Sequence, residues 1–156
     1  MAKYGKSHGP WWGNEVERLA FERNVAEHYP NVRRQTGSLG GDRAFVYRST
    51  IVVPFYEARR VEIFFTRGRF RSSPIILADG SPSSPHRFSG FAGRRLCVWH
   101  PDDPAAERWV WEDGLLQLLS LTMLHLFREA WWRVTDEWLG PQTPHGITTD
   151  NLGEAS

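Results

Sequence analysis

Apolar and polar residues follow different periods in successive stretches of the chain, and each stretch predicts an element. From Trp11 to His28, the residues Val16, Leu19, Ala20, Phe21 and Val25 make a stripe near the helical period. Glu15, Glu17, Arg18, Glu22 and Arg23 fill the other face, so the segment predicts an amphipathic helix. Asn14 suits its N-cap and Pro30 stops it. Gly37, Gly40 and Gly41 mark Asn31 to Asp42 as a loop. Ala44 to Pro54, Val61 to Thr66 and Pro74 to Ala78 are rich in Val, Ile, Phe, Tyr and Thr and predict three strands, with a turn over Glu57 to Arg60. Ser81 to Ser89 is a Pro/Ser loop, and Arg94 to Trp99 predicts a short fourth extended piece. Glu112 to Leu139 predicts one long helix or two abutting ones. Leu115, Leu116, Leu118, Leu119, Leu121, Met123, Leu124, Leu126 and Phe127 cover most of its circumference, the pattern of a buried helix. Gly140-Pro141 ends it. Strands in a run with helices at either end make an α+β class.

Composition narrows the class. At 156 residues the chain predicts one domain, with residues 1–10 as a flexible arm, 11–140 as the folded domain and 141–156 as a flexible tail. Lys+Arg number 19 against 18 Asp+Glu, so no net field draws in nucleic acid or an anionic membrane. The clusters Arg33-Arg34, Arg59-Arg60, Arg67 to Arg71 and Arg94-Arg95 are interleaved with acids and read as ordinary surface. One cysteine excludes an intramolecular disulfide and fits a reducing compartment. Residues 1–10 have no apolar core of a signal peptide. The apolar run Leu115 to Phe127 is broken by Gln117, Ser120, Thr122 and His125 and is too short for a bilayer. A cytoplasmic protein is expected. Eight Trp argue for large flat contacts, in a core or against a partner.

Cys97 draws the chemistry. It lies between the Pro/Ser/Gly loop and the long helix, in the text Gly93-Arg94-Arg95-Leu96-Cys97-Val98-Trp99-His100-Pro101-Asp102-Asp103-Pro104. In an extended segment Leu96 and Val98 share one face and Cys97 takes the other. With the aliphatics in the core the sulfur faces outward, where Arg94, Arg95 and His100 would lower its pKa. The alternative is a small buried hydrophobe, the commonest fate of a free cysteine. Metal binding fits poorly: Cys97 and His100 are two ligands, no second Cys exists, and His8, His28, His86, His125 and His145 are far off in sequence. A Cys–His hydrolase with His86 or His100 as base stays open.

His86, a stretch of turn, and then Gly93-Arg94-Arg95-Leu96-Cys97-Val98 resemble the active-site segment of ubiquitin-conjugating enzymes. There a His-Pro-Asn motif precedes a Gly-x-(Ile/Leu)-Cys-Leu element. Trp109 or Trp111 and the rhythm Leu115-Leu116-x-Leu118-Leu119 stand where that family has a Trp and its central helix. The likeness spans residues 11–140. Pro85-His86-Arg87, Pro101-Asp102-Asp103-Pro104 and His125 to Trp132 are more narrowly similar to bacterial ubiquitin-conjugating-like proteins of antiphage defence operons, some encoded beside a cyclic-oligonucleotide synthase. The resemblance implies an N-terminal helix, an antiparallel meander, a Cys loop and a long central helix. It further implies that Cys97 takes a protein's C-terminal carboxylate as a thioester and passes it to an amine, usually lysine. The implied partners are an activating enzyme, a ubiquitin-like protein or nucleotidyltransferase whose C-terminus is carried, and an acceptor protein. No nucleic acid, membrane, metal or cofactor is expected. Trp11-Trp12 fall on the face where that family meets its activating enzyme.

His86 would organise the loop. The family's Asn, which stabilises the oxyanion, is absent: Arg87-Phe88 follow His86. Arg87, Arg94, Arg95, Ser89 and backbone N–H groups are the candidate donors. Asp102 and Asp103 would orient the amine and accept its proton, or form a solvated Pro-Asp-Asp-Pro turn; His100 is a base or a loop hydrogen bonder. His125 reads as a hydrogen-bonded core residue, and Trp131, Trp132 and Trp138 as core. The competing classes are the same fold kept as a binding module with its chemistry lost, and the Cys-dependent hydrolase.

Overall fold

The computed structural model describes residues 14–66, 73–100 and 102–140. The expected arm, the Trp11-Trp12 face, the 141–156 tail with Pro141, and the whole Arg67–Arg71 cluster lie outside the described residues. The class is α+β, with a four-stranded antiparallel sheet and a long helix after it.

Helix α1 spans Glu15–Phe21. Asn14 caps it, its side-chain oxygen accepting from the Glu17 N–H at 3.1 Å, and Glu15 and Glu17 suit the positive end of the dipole. The expected single helix to His28 breaks here. Asn24 adopts φ 62°, a left-handed conformation that Asn tolerates better than most residues, and α2 follows as Val25–His28. Only Phe21 and Val25 of the predicted stripe reach the core, while Val16 is 77% exposed and Leu19 58%. The Phe21 ring stacks on Trp111 at 4.1 Å and meets Phe65 edge-on at 5.5 Å.

The strands are β1 (Arg33–Leu39), β2 (Asp42–Ile51), β3 (Arg59–Thr66) and β4 (Ile75–Ala78), in spatial order β1-β2-β3-β4. β1 is a strand where the glycines predicted a loop. The sequence RRQTGSL has no apolar alternation, and all but Leu39 are exposed. Its partner is fixed by Gly40-Gly41, whose φ values of 57° and 86° make the two-residue turn that a right-twisted hairpin favours. One sheet face packs Tyr47, Ile51, Val61, Ile63, Phe65 and Ile76 toward the main core. The opposite face divides into a buried apolar patch (Ala44, Val46, Phe64, Ile75, Leu77) and a charged row, Arg33–Arg48–Glu62 in register across β1, β2 and β3.

Helix α3, Gly114–Thr135, is the backbone of the core. Its buried residues are Leu115, Leu118, Leu119, Thr122, His125, Leu126, Glu129 and Ala130, one stripe at helical spacing. This corrects the expectation of a helix enclosed all round: Leu124 is 38% exposed and Val134 69%. The fully buried leucines each contribute roughly 1.5–3 kcal/mol. Trp109 is buried in the same core, donating from its indole to the Gly114 carbonyl at 2.9 Å. The helix ends at Asp136 with φ 60°, short of Gly140.

Candidate active site

The Cys loop is laced to the sheet by backbone bonds. The Ala78 N–H donates to Arg94 O at 2.9 Å and the Leu96 N–H to Ile76 O at 2.9 Å, so Arg94 to Leu96 runs along β4. On its other side the Phe88 N–H donates to Arg95 O, and the Cys97 N–H to His86 O, both at 2.9 Å. Main chain thereby holds Cys97 beside His86. Phe91, Ala92 and Gly93 all have positive φ (55°, 57° and 72°), which folds the loop back sharply. Gly93 is obligatory for a second reason: a Cβ there would lie 2.4 Å from the Cβ of Pro82.

Arg87 ties the loop to α3. Its guanidinium is fully buried. It grips Glu129 bidentately, Nε to Oε2 at 2.9 Å and Nη2 to Oε1 at 2.6 Å, and donates to the carbonyls of Ala78, Gly93 and Asp79. A guanidinium so committed has nothing left for an oxyanion. Arg94 is spent on Glu62 at 3.0 Å, and Arg95 lies over the Phe88 ring at 4.5 Å. Three of the five expected oxyanion donors are therefore structural.

Between the Cys loop and α3 lies a pocket of about 270 Å³, lined by His86, Cys97, Asp103, His125, Arg128 and Trp138 among others. It brings together three of the five predicted site residues, Cys97, His86 and Asp103. His100 lines a separate cavity of about 280 Å³ with Arg95 and Trp99. His100 accepts the Asp102 N–H at its Nδ1, 3.2 Å. The Asp102 side chain is 91% exposed. His100 and Asp102 thus belong to a turn, whereas Asp103 turns inward and also braces that turn, its Oδ2 accepting the His100 N–H at 2.7 Å.

Two expectations about Cys97 are overturned. Cys97 is 4% exposed rather than outward-facing: β4 flanks its segment along one edge and His86 to Phe88 along the other, and α3 walls the pocket it lines. Its Sγ donates to the Trp99 carbonyl at 3.8 Å. Burial pushes the thiol up to about 11, the Asp103 carboxylate adds to this, and Arg95 pulls the other way without prevailing. Cations do not activate this sulfur.

His125 also departs from expectation. It is buried, but its Nε2 has no hydrogen-bond partner, standing 4.0 Å from Glu129 Oε2. Burial first, then the neighbouring His86, Arg87 and Arg128, push its pKa down to about 3, so the ring is neutral at physiological pH. His86 packs against Trp138 with ring centroids 4.1 Å apart and planes tilted by 37°, and both rings meet His125. Glu129, Arg128 and Trp138 had no place among the predicted site residues. The available signal was the spacing His125-x-x-x-Glu129, which puts two polar groups on the buried stripe of α3.

Among the described residues no group of three or more His, Cys, Asp or Glu is arranged to hold a metal, and no helix is long and apolar enough to cross a membrane. No family model, curated protein or solved structure matches the chain.

Proposed function

We propose that this chain is a ubiquitin-conjugating-like acyl carrier, in which Cys97 holds a protein's C-terminal carboxylate as a thioester between an activating enzyme and an amine. The observation that carries the reading is the placement of Cys97: main chain pins it beside His86 on the floor of a pocket, within a helix–meander–Cys loop–helix order. Antiphage conjugation is the setting that the sequence resemblance favours.

The high thiol pKa slows a carrier without abolishing it. At pH 7.5 a thiol of pKa about 11 is only about 0.03% thiolate. The ion is correspondingly more nucleophilic, with a Brønsted slope of about 0.4–0.5, so transfer slows only roughly twenty-fold against an ordinary thiol. The same basicity makes the sulfur a poor leaving group, so the thioester reacts slowly with water and with an amine alike. In loading, the Cys97 sulfur bonds to the donor carbonyl carbon, the donor's C–S bond breaks, and the Cys97 proton goes to the departing thiolate. In discharge, the amine nitrogen bonds to that carbon, the C–S bond breaks, and the one proton the amine loses passes to the Asp103 carboxylate and from there to the departing Cys97 sulfur.

A second reading has its own support. The buried, protonated thiol and the commitment of Arg87 at the position after His86 favour a binding module that keeps the fold without the chemistry. A synthetic peptide ending in Gly-Gly, supplied as its mercaptoethanesulfonate thioester, separates the two. The carrier reading expects a reductant-sensitive peptide adduct on Cys97 by mass spectrometry, faster as pH rises and replaced by a reductant-resistant ester, or lost, in Cys97→Ser. Absence of any adduct up to pH 10 supports the binding module. An adduct that turns over to free peptide supports the hydrolase.

A further inference from the structure

The sheet face that turns away from α3 holds a groove of about 690 Å³, within the range of small-ligand sites, roughly 300–1,000 Å³. Arg33, Arg48, Arg60 and Arg94 line it against two acids, Glu62 and Asp79. Arg33 and Arg48 are direct cross-strand partners on β1 and β2, and like charges in that relation destabilise a sheet. Glu62 alone serves two guanidiniums, Arg48 Nε at 2.8 Å and Arg94 Nη2 at 3.0 Å. Arg60 is 83% exposed and reaches Asp79 only at 3.6 Å. Arg33 spends one nitrogen on the carbonyls of Pro30 and Val32 and has no carboxylate partner among the described residues.

The groove thus keeps two more cations than anions. Arg33 and Arg48 oppose each other in register, and of the two only Arg48 has a carboxylate partner among the described residues, Glu62, which it shares with Arg94. Among the described residues no aromatic side chain lines it, so it offers no platform on which a base could stack. Arg33, Arg48 and Arg60 stand on three consecutive strands, spaced about 4.8 Å apart. That convergence fits a compact multivalent anion better than carboxylates spread along a peptide. Guanidinium forks match phosphate oxygens bidentately.

We propose that this groove binds the pyrophosphate-type group of a small phosphorylated molecule, with Arg33, Arg48 and Arg60 as its donors. The bound anion relieves the Arg33–Arg48 repulsion, so the ligand stabilises the β1–β2 hairpin as well as occupying it. The site is separate from the Cys97 pocket and does not rest on the acyl-carrier reading.

The test is calorimetric titration of sodium pyrophosphate into the full chain at low and high salt. One saturable site is expected, weakened by high salt and weakened about tenfold by Arg33→Gln or Arg60→Gln. Both arginines are exposed, so the variants fold without ligand: Arg33→Gln melts slightly above wild type because it removes the like charge opposite Arg48, and Arg60→Gln melts close to wild type. Glu62→Gln, which removes a competing carboxylate, tightens binding several-fold. Cys97→Ser leaves it unchanged. Three results overturn the proposal: no saturation in the millimolar range, equal binding by wild type and both arginine variants, or tighter binding of an oligoglutamate peptide than of pyrophosphate. The last would assign the face to an acidic protein surface.

Discussion

Glu129 and His125 sit one turn apart on the same face of α3, both buried, and the chain treats them in opposite ways. Glu129 meets Arg87, and that guanidinium makes bonds to both carboxylate oxygens and to three carbonyls. His125 meets the pocket with its Nε2 unpartnered. A buried charge is tolerated when every donor finds an acceptor; a buried polar group without one is kept neutral by its surroundings. The difference separates a clamped end from an open one: the Arg87 end of the Cys loop is held, and the Cys97 end is left with space beside it.

Breaking the clamp has the largest expected effect. Glu129→Leu strands a buried guanidinium and costs about 3–5 kcal/mol in chemical denaturation. The double change Arg87→Met with Glu129→Leu removes both charges and recovers most of that loss. A single Glu129→Leu loss below about 1 kcal/mol would mean that the ion pair is not closed off from water.

The other half of the comparison is sharpened by pH. His125 is neutral in the fold, with a pKa pushed down to about 3 from 6.5. Below pH 6.5 the unfolded chain binds a proton that the folded chain refuses. Stability therefore falls as pH drops from about 6.5 toward 3, by up to about 1.4 kcal/mol per unit from this group. His125→Phe removes that slope while staying within about 1.5 kcal/mol of wild type at pH 7.5, as denaturant melts across the pH series will show. An unchanged slope in the variant would place the titration elsewhere.

The smallest effect concerns the loop between the two regions. Ala92 holds a left-handed conformation, φ 57°, that favours glycine. Ala92→Gly is expected to raise stability by about 1 kcal/mol or less, measured as a shift of the denaturation midpoint with unchanged slope.

The same contrast marks what could be read in the residues. β3, β4 and α3 announced themselves through apolar runs and helical spacing, since burial writes directly into composition. β1 did not: an edge strand of RRQTGSL is held by backbone pairing to β2, which leaves no apolar trace. The break at Asn24 was carried by a single residue inside a continuous amphipathic pattern. Alternation around Cys97 correctly sent Leu96 inward. It could not foresee that α3, far along the chain, walls the pocket that Cys97 lines, or that the sulfur is buried too. Arg87 looked like a free cation because its partner Glu129 stands 42 positions away. Cys97, His86 and Asp103 were legible as a site because the loop brings together residues close in sequence. His125, Arg128 and Trp138 complete it from a distance.

Everything chemical at this site depends on a thiol that is protonated yet reachable. Its most direct test is the rate of Cys97 alkylation by iodoacetamide across pH 7 to 12, in wild type and in Asp103→Asn. Wild type is expected to titrate with a midpoint near 11, and Asp103→Asn to lower that midpoint by removing the facing negative charge. A midpoint below 9, or a thiol that never reacts while the protein remains folded, would contradict the account.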